Sequence, residues 1–232
     1  MLRALLTDVD GTITDHGRFL HTGAITVIRE LVARGVEVVL ASGNTACFMD
    51  ALCRMIGTSG TFIGENGGVY RVGFPGKLHI HGDQPACLEA FQVIQEHYQA
   101  AGAPLHLLSP QYRYADVAFS RTVPPEEVEQ LLRGYDVLVI DTGFAIHLHS
   151  KGVNKGTAFM DLSNDIGIPP GDFLAIGDAK NDVEMLKAAG IGVTVANGHP
   201  DVMAVAGYIA KNRYGDGFIE AMQNYSSHFL ER

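Results

Sequence analysis

Apolar and polar positions alternate along the first sixty residues in blocks that predict strands followed by helices. Residues 3–7 contain a short apolar run that ends in aspartates, which predicts a buried strand. Residues 21–34 carry apolar side chains at helical spacing, a second strand is predicted over 36–41, and a second helix is predicted over 45–56. This order of strand, helix, strand and helix is typical of a doubly wound parallel sheet.

The pattern changes in the middle of the chain and then returns. Between residues 83 and 150 the predicted order is helix, two strands, helix, two strands, which indicates an antiparallel sheet backed by helices. The predicted fold class is α/β, with a Rossmann-like parallel sheet core that has helices on both faces, plus an inserted smaller α+β domain. The core is expected over 1–82 and 151–232, and the insert over 83–150. The elements expected after residue 83 are helices over 85–101, 124–135, 155–167 and 181–189, strands near 105–109, 114–121, 173–177 and 191–196, and a hairpin over 136–150.

Composition narrows the possible functions. The 232 residues are 47% hydrophobic and 19% charged, so the chain can bury a sizeable core. The formal net charge is −9 and no basic block occurs, which argues against nucleic acid as the main partner. No apolar run approaches the length of a membrane span, and the three cysteines fit neither a disulfide framework nor a zinc site. We therefore expect a cytoplasmic protein without a membrane partner, as a monomer or a homodimer.

Three predicted strands end in polar groups that a buried strand does not itself need. Because ligands bind beyond the carboxyl ends of the strands in open α/β sheets, these groups are expected to converge on one edge. Oxygen ligands without histidine or cysteine suit a hard cation such as Mg²⁺, and Lys155 with backbone N–H groups suits a phosphate. The combination indicates phosphoryl transfer. The strand-end groups are Asp8 and Asp10, then Ser42, Gly43 and Asn44, and then Asp178 with Asn181 and Asp182.

Four short runs together resemble the motifs of the haloacid dehalogenase superfamily of phosphatases. The runs are DVDGT at 8–12, SGN at 42–44, Lys155, and GDAKND at 177–182, in the order and spacing of that superfamily. The VDGTIT run, the SGN run and the short insert are most similar to the archaeal phosphoglycolate phosphatases. The resemblance implies a phosphatase that acts on a small phosphorylated metabolite, with the insert as a cap domain. The implied reaction is hydrolysis of 2-phosphoglycolate to glycolate and phosphate.

The resemblance also implies a role for each residue of the motifs. Asp8 is implied to be the nucleophile that forms an aspartyl-phosphate, and Asp10 to donate a proton to the leaving alcohol and then activate water. An ordinary aspartate is ionised at neutral pH, so the difficulty lies in its repulsion from an anionic phosphate. The implied Mg²⁺ ligands are Asp8, Asp10 through its backbone carbonyl, Asp178 and Asp182, and the implied phosphate-binding residues are Ser42, Gly43, Asn44 and Lys155.

Other interpretations stay open at this point. A sugar-phosphate phosphatase of the same subgroup fits the same motifs, and so does a phosphate-binding regulator without turnover, although Asp10 disfavours the regulator. Taken alone, each motif also has a local explanation, because Asp-Gly favours turns and aspartates cap helices. Five histidines in or near the insert are expected to be polar residues on sheet faces rather than metal ligands: His79, His81, His106, His147 and His149.

Overall fold

The computed structural model of the protein describes residues 1–229. The chain forms two compact units. The first unit contains Met1–His79 and the chain from Asn154 onward, and the second unit, called the insert from here on, contains Ile80–Val153. No helix in the described part of the chain is both long and apolar enough to cross a membrane.

Strands and helices follow one another through both units. The strands are β1 (Ala4–Asp8), β2 (Glu37–Ala41), β3 (Phe62–Gly64), β4 (Val69–Arg71), β5 (His79–Ile80), β6 (Val117–Ser120), β7 (Val137–Asp141), β8 (Ala145–Ser150), β9 (Phe173–Gly177), β10 (Ile191–Thr194) and β11 (Tyr208–Ile209). The α-helices are α1 (Thr22–Ala33), α2 (Ala46–Ile56), α3 (Gln84–Ala100), α4 (Pro125–Leu131), α5 (Lys155–Ile166), α6 (Val183–Ala188), α7 (Pro200–Met203) and α8 (Tyr214–Tyr225).

The large sheet has the strand order β11-β10-β9-β1-β2-β3-β4-β5. From β11 to β3 every neighbouring pair is parallel, and β4 then pairs antiparallel with β3. Leu6 and Val39 lie in one apolar cluster with Phe159 of α5 and Leu186 of α6, while Leu5, one position along β1, is buried on the opposite face. Because α1 packs against β2, helices cover the sheet on both sides. The predicted α/β class is confirmed.

The register of the central strands brings three polar strand ends level. β1 pairs in parallel with β2 and β9, and Asp8 lies opposite Ala41, the last residue of β2. Ser42 follows β2 directly, and Asp178 follows β9 directly. Since parallel strands present their carboxyl ends at one edge, all three residues lie at the edge where α/β proteins bind ligands.

The insert has its own sheet and its own apolar core. Its three antiparallel strands lie in the order β6-β8-β7, and α3 and α4 pack against them. Phe91 of α3 packs with Phe119 of β6 in the middle of this core, with ring centroids 5.5 Å apart. The two ends of the insert also meet, because the Asp83 N–H donates to Ser150 Oγ at 2.7 Å.

One predicted element of the insert is wrong. The alternating apolar residues at 105–109 predicted a strand, but the structure has only a single antiparallel bridge there, between Leu107 and Phe119. Pro104 and Pro110 flank the segment and cannot donate to a ladder, which limits pairing to a few residues. Leu107 still packs against the core of the insert, so the apolar residues of this segment indicate burial and not a strand.

Two of the five histidines lie on a sheet face, as expected, but that face is buried. His147 and His149 share one face of β8, but they are 2% and 0% exposed. His147 Nδ1 lies 2.8 Å from Asp116 Oδ2, and Asp116 Oδ1 accepts a hydrogen bond from Arg113 Nη1 at 2.7 Å. These three residues, Arg113, Asp116 and His147, form a buried group of ionisable side chains that we call the insert triad.

Candidate active site

A buried lysine lies at the centre of the site. Lys155 is the first residue of α5, whose start is fixed by a capping box between Asn154 and Thr157. Its side chain is 1% exposed, and its Nζ donates to Asp8 Oδ1 and to Asp182 Oδ1, both at 2.5 Å. The helix start therefore delivers one positive charge to the carboxyl end of β1.

Three carboxylates surround this lysine and form, with it, what we call the carboxylate cluster. One carboxylate oxygen from each of Asp8, Asp178 and Asp182 lies within 4.8 Å of the others. Asp182 is further held by its Oδ2, which accepts the backbone N–H groups of Asp178 and Ala179 at 3.0 and 2.9 Å. The loop after β9 thus folds around a carboxylate of its own sequence.

Two side chains hold the third carboxylate in place. Thr12 Oγ1 donates to Asp178 Oδ1 at 3.1 Å, and Asn197 Nδ2 donates to Asp178 Oδ2 at 3.2 Å and to the Gly11 carbonyl at 2.9 Å. Asp178 is therefore oriented from the loop after β1 and from the loop after β10. Orienting contacts of this kind are typical of the surroundings of metal-binding carboxylates.

The electrostatics of the cluster favour a bound cation. Burial, followed by the charge of Asp182, raises the pKa of Asp8 well above its ordinary value, although Lys155 opposes the shift. Burial and Asp182 also raise the pKa of Asp178, to about 7. Burial alone would lower the pKa of Lys155, but Asp182 and Asp8 outweigh it and raise that pKa. More negative charge is buried here than one ammonium can balance.

Asp10 lies beside the carboxylate cluster and has different partners. Its Oδ2 accepts a hydrogen bond from Asn44 Nδ2 at 3.0 Å, and its Oδ1 lies 3.8 Å from Arg18 Nε. The Asp10 side chain is 29% exposed, so it is accessible to water. Of the two aspartates in the first motif, one is buried among charges and the other reaches the surface.

The loop after β2 also uses its side chains within the protein. The backbone N–H and the Nδ2 of Asn44 both donate to Ser42 Oγ, at 3.1 and 2.9 Å. Ser42 Oγ accepts in both contacts, so its own hydroxyl proton takes part in neither. Asn44, for which the resemblance implied a phosphate contact, instead connects Ser42 to Asp10.

The structure therefore brings most of the predicted site residues to one place. Sequence reasoning gave no role to three nearby residues: Thr12, Asn66 and Asn197. Asn66 and Asn197 come shortly after β3 and β10, so the strand-end rule that selected Asp8 applies to them as well. The individual roles of the predicted residues stay predictions.

A parallel sheet with such a polar group at its strand ends is the arrangement of an α/β enzyme. A family model described as haloacid dehalogenase-like hydrolase matches residues 5–100 and 121–222. The chain belongs to this family, which confirms the family expected from the four motifs, and it is an enzyme.

Relatives of the chain share its full length. It is 53% identical over 234 residues to a phosphoglycolate phosphatase of Methanoculleus marisnigri, with 100% of both chains covered. It is 49% identical over 232 residues to a phosphoglycolate phosphatase of Methanospirillum hungatei, again with 100% of both covered. It is 35% identical to a phosphoglycolate phosphatase of Archaeoglobus fulgidus, which covers 95% of this chain and 96% of that one.

Solved structures agree with the fold. A Thermoplasma acidophilum protein superposes with a TM-score of 0.87 at 25% identity, covering 97% of this chain and 99% of that one. A haloacid dehalogenase-like hydrolase from Bacteroides thetaiotaomicron superposes with a TM-score of 0.79 at 18% identity, covering 99% of this chain and 100% of that one. The second likeness concerns the fold alone.

Proposed function

We propose that the protein is a Mg²⁺-dependent phosphatase that hydrolyses 2-phosphoglycolate through an aspartyl-phosphate on Asp8. The names of the archaeal relatives support the substrate, since several of them at 35–53% identity are phosphoglycolate phosphatases. The carboxylate cluster supports the chemistry. In this proposal residues 83–150 of the insert form the cap domain, and residues 1–82 and 151–232 form the catalytic core.

One observation carries the proposal. Asp8 is 5% exposed, its Oδ1 is bound by Lys155, and its Oδ2 has no hydrogen-bond partner. A buried carboxylate oxygen without a partner is costly, and its retention calls for an explanation by function. Lys155 fixes the carboxylate through one oxygen, which leaves the other oxygen able to form a new bond.

The carboxylate cluster fits Mg²⁺ by charge and by donor type. Its three carboxylates exceed the one ammonium by two charges when all four groups are ionised, and oxygen donors suit a hard divalent cation. We expect Asp8, Asp178 and Asp182, with the backbone carbonyl of Asp10, to hold the ion. The chemistry that Mg²⁺ supplies when bound is charge neutralisation, which lets a carboxylate approach a phosphate.

In the first step, an Asp8 carboxylate oxygen bonds to the phosphorus atom while the bond from phosphorus to the bridging oxygen breaks. Asp10 donates its proton to that bridging oxygen, and glycolate leaves as the alcohol. Asn44 holds the Asp10 carboxyl through its Nδ2, so the acid keeps a fixed orientation. In this proposal Lys155 neutralises charge on the phosphoryl oxygens and the Ser42 hydroxyl donates a hydrogen bond to one of them; its proton is not used in the contacts from Asn44.

In the second step, Asp10 acts as a base because it has lost its proton. It takes a proton from a water molecule, the water oxygen bonds to phosphorus, and the bond between phosphorus and Asp8 breaks. Inorganic phosphate leaves, and both aspartates return to their starting states. The exposure of Asp10 suits this exchange, because the same carboxyl must meet the leaving group and then water.

The three cysteines bear on where the protein is located. Cys47, Cys53 and Cys87 are all free thiols, which supports a reducing compartment such as the cytoplasm.

A sugar phosphate is the alternative substrate class, and a regulator without turnover is the alternative outside catalysis. The proposal favours turnover because both Asp8 and Asp10 are present and held.

Two measurements test the proposal. The first is phosphate release from 2-phosphoglycolate, several sugar phosphates and p-nitrophenyl phosphate, with Mg²⁺ and with excess chelator. Preference for a sugar phosphate would reject 2-phosphoglycolate as the substrate. Full activity in chelator would reject the requirement for Mg²⁺. The second is intact-protein mass after acetyl phosphate and an acid quench. Asp10→Asn should gain one phosphoryl group and Asp8→Asn none; a labelled Asp8→Asn variant would show that Asp8 is not the nucleophile.

A further inference from the structure

The turn after β3 has an unusual backbone. Glu65 and Asn66 are consecutive residues with φ angles of 48° and 54°, in the left-handed region that residues other than glycine seldom adopt. Both are buried, at 0% and 1% exposure. Backbone strain of this kind persists only where the surroundings hold it, and it is concentrated at functional sites.

The turn is bound to the loop that contains Ser42 and Asn44. The Glu65 N–H donates to the Asn44 carbonyl at 2.9 Å, and the Asn66 N–H donates to the Ser42 carbonyl at 3.1 Å. Gly67, next in the turn, packs against the start of α5, since a Cβ on it would lie 2.7 Å from the backbone nitrogen of Lys155. The turn therefore touches both elements that are expected to bind phosphate.

The Asn66 side chain lies between two loops of the site. Its Oδ1 accepts a hydrogen bond from Asn181 Nδ2 at 2.8 Å, which fixes the orientation of the amide. The amide also packs on Gly43, where a Cβ would lie 3.0 Å from its oxygen and 3.1 Å from its nitrogen. One side of the amide thus meets the loop between Asp178 and Asp182, and the other meets the loop after β2.

The Nδ2 of Asn66 has no hydrogen-bond partner, although it is buried. An amide N–H₂ group can only donate, so it cannot bind a cation and suits an anion. A buried donor without an acceptor is destabilising unless a ligand supplies the acceptor. We propose that Asn66 is a further phosphate-binding residue, whose Nδ2 donates to an oxygen of the phosphoryl group while Asn181 fixes the amide.

This inference rests on the proposed function for the phosphate chemistry, but it makes a separate claim about one side chain. The competing explanation is structural, because asparagine tolerates a positive φ better than most residues do. Glycine tolerates that backbone at least as well, so Asn66→Gly preserves the turn and removes the amide. Asn66→Asp preserves the shape of the side chain and replaces its donor with a negatively charged oxygen.

The test uses inorganic phosphate as the probe on the full-length protein with saturating Mg²⁺. Its binding is measured as competitive inhibition of p-nitrophenyl phosphate hydrolysis and as the rise in melting temperature that phosphate causes. Loss of one donor to an anion should weaken phosphate binding about tenfold in Asn66→Gly, and the added charge should weaken it further in Asn66→Asp. The melting temperature of Asn66→Gly without phosphate should equal or exceed that of wild type.

Ser109→Gly is the matched control, since Ser109 also has a positive φ of 52° but lies exposed in the insert. It should relieve its turn in the same way and leave phosphate binding unchanged. Phosphate binding within twofold of wild type in Asn66→Gly overturns the inference, whatever the substrate is. If wild type does not turn over 2-phosphoglycolate but binds phosphate tenfold more tightly than Asn66→Gly, the substrate assignment fails and the inference holds.

Discussion

The carboxylate cluster and the insert triad are both buried groups of charged side chains, but their charges balance differently. In the insert triad, one carboxylate, Asp116, accepts from Arg113 at 2.7 Å and lies 2.8 Å from His147, so each of its oxygens has a partner. In the carboxylate cluster, Lys155 donates to two of the three carboxylates, those of Asp8 and Asp182, and Asp8 Oδ2 has no partner.

The pKa values of the two groups move in opposite directions. Burial alone would raise the pKa of Asp116, but the hydrogen bond and charge of His147, followed by Arg113, outweigh burial and lower it. Burial is not outweighed at Asp8, whose pKa is raised. The insert triad therefore contributes to folding by itself, whereas the carboxylate cluster without a cation costs folding free energy.

The largest expected effect separates function from stability at Asp8. Asp8→Asn should lower turnover about 10⁴-fold or more, because the attacking oxygen is lost. In chelator the same change should leave the melting temperature unchanged or raise it, since it removes one of the excess negative charges. Turnover and thermal unfolding of the same preparation measure both effects. A marked fall in the melting temperature of Asp8→Asn in chelator would show that the carboxylate cluster has no excess of negative charge.

The second effect is on folding and comes from the insert triad. Asp116→Asn should lower the free energy of unfolding by about 3–5 kcal/mol, because Arg113 then lies buried beside a neutral amide. Urea unfolding followed by circular dichroism measures it. Asp141→Asn is the control, since Asp141 pairs with Arg121 at 2.8 Å on the surface, and an exposed pair contributes about 1 kcal/mol or less. Equal losses in the two variants would contradict the contrast between buried and exposed pairs.

The third effect is the response to Mg²⁺. Binding at a hundred times the dissociation constant should stabilise the folded protein by about 2.7 kcal/mol. Thermal unfolding in Mg²⁺ and in chelator measures this difference, which Asp178→Asn should largely abolish. Ser109→Gly should retain the full difference. If Asp178→Asn keeps it too, the ion is bound elsewhere.

The fourth effect is the pH dependence of stability in chelator. The pKa of Asp178 is about 7 in the folded protein. In the unfolded chain it should be about 3.9, so the folded state holds this proton more tightly. Stability from this group is full below the unfolded value and is lost as the pH rises through 7. The lowered pKa of Asp116 gives the opposite sign, because its contribution is lost only as the pH falls below its ordinary value.

Urea unfolding of the metal-free protein at pH 5 and pH 7.5 measures this slope. Wild type should be less stable at pH 7.5, and Asp178→Asn should show a flatter dependence. Stability that rises between these two pH values in wild type and not in the variant would mean that Asp178 is ionised in the metal-free fold.

The smallest expected effect concerns the residues that orient Asp178. Thr12→Val keeps the shape of the side chain and removes the donor to Asp178 Oδ1. The Mg²⁺ concentration for half-maximal activity should rise about tenfold, as for other contacts that orient metal ligands. Thr26→Val is the control, because Thr26 donates only to the Thr22 carbonyl within α1. The same rise in both variants would assign the effect to the loss of any threonine hydroxyl.

The sequence predicts which residues belong to the candidate site better than it predicts the contacts between them. Strand ends can be found from apolar runs, and parallel pairing brings them to one edge, which located Asp8, Ser42 and Asp178. The strand-end rule did not select Asn66 because it follows β3, a strand of only three residues in a glycine-rich run that is typical of turns. The contact from Asn44 to Asp10 depends on side-chain rotamers, which no spacing reports.

The insert triad shows a different limit. Asp116 precedes β6 and His147 lies in β8, thirty-one residues away. Their contact depends on the antiparallel register that places Ala118 opposite His147, and register is set by the packing of the whole sheet. The pairing of two histidines on one strand face was visible in the sequence, but the buried carboxylate that meets one of them was not.

The hydrogen bond from Asp83 to Ser150 has a consequence for how such enzymes diversify. Asp83 and Ser150, which lie near the two ends of the insert, are joined directly by this hydrogen bond. Segments with adjoining ends are the ones most readily exchanged between proteins. Residues 83–150 can therefore be exchanged as one segment. A chimera that carries the same segment of a relative keeps the loops of the candidate active site in their own sequence context.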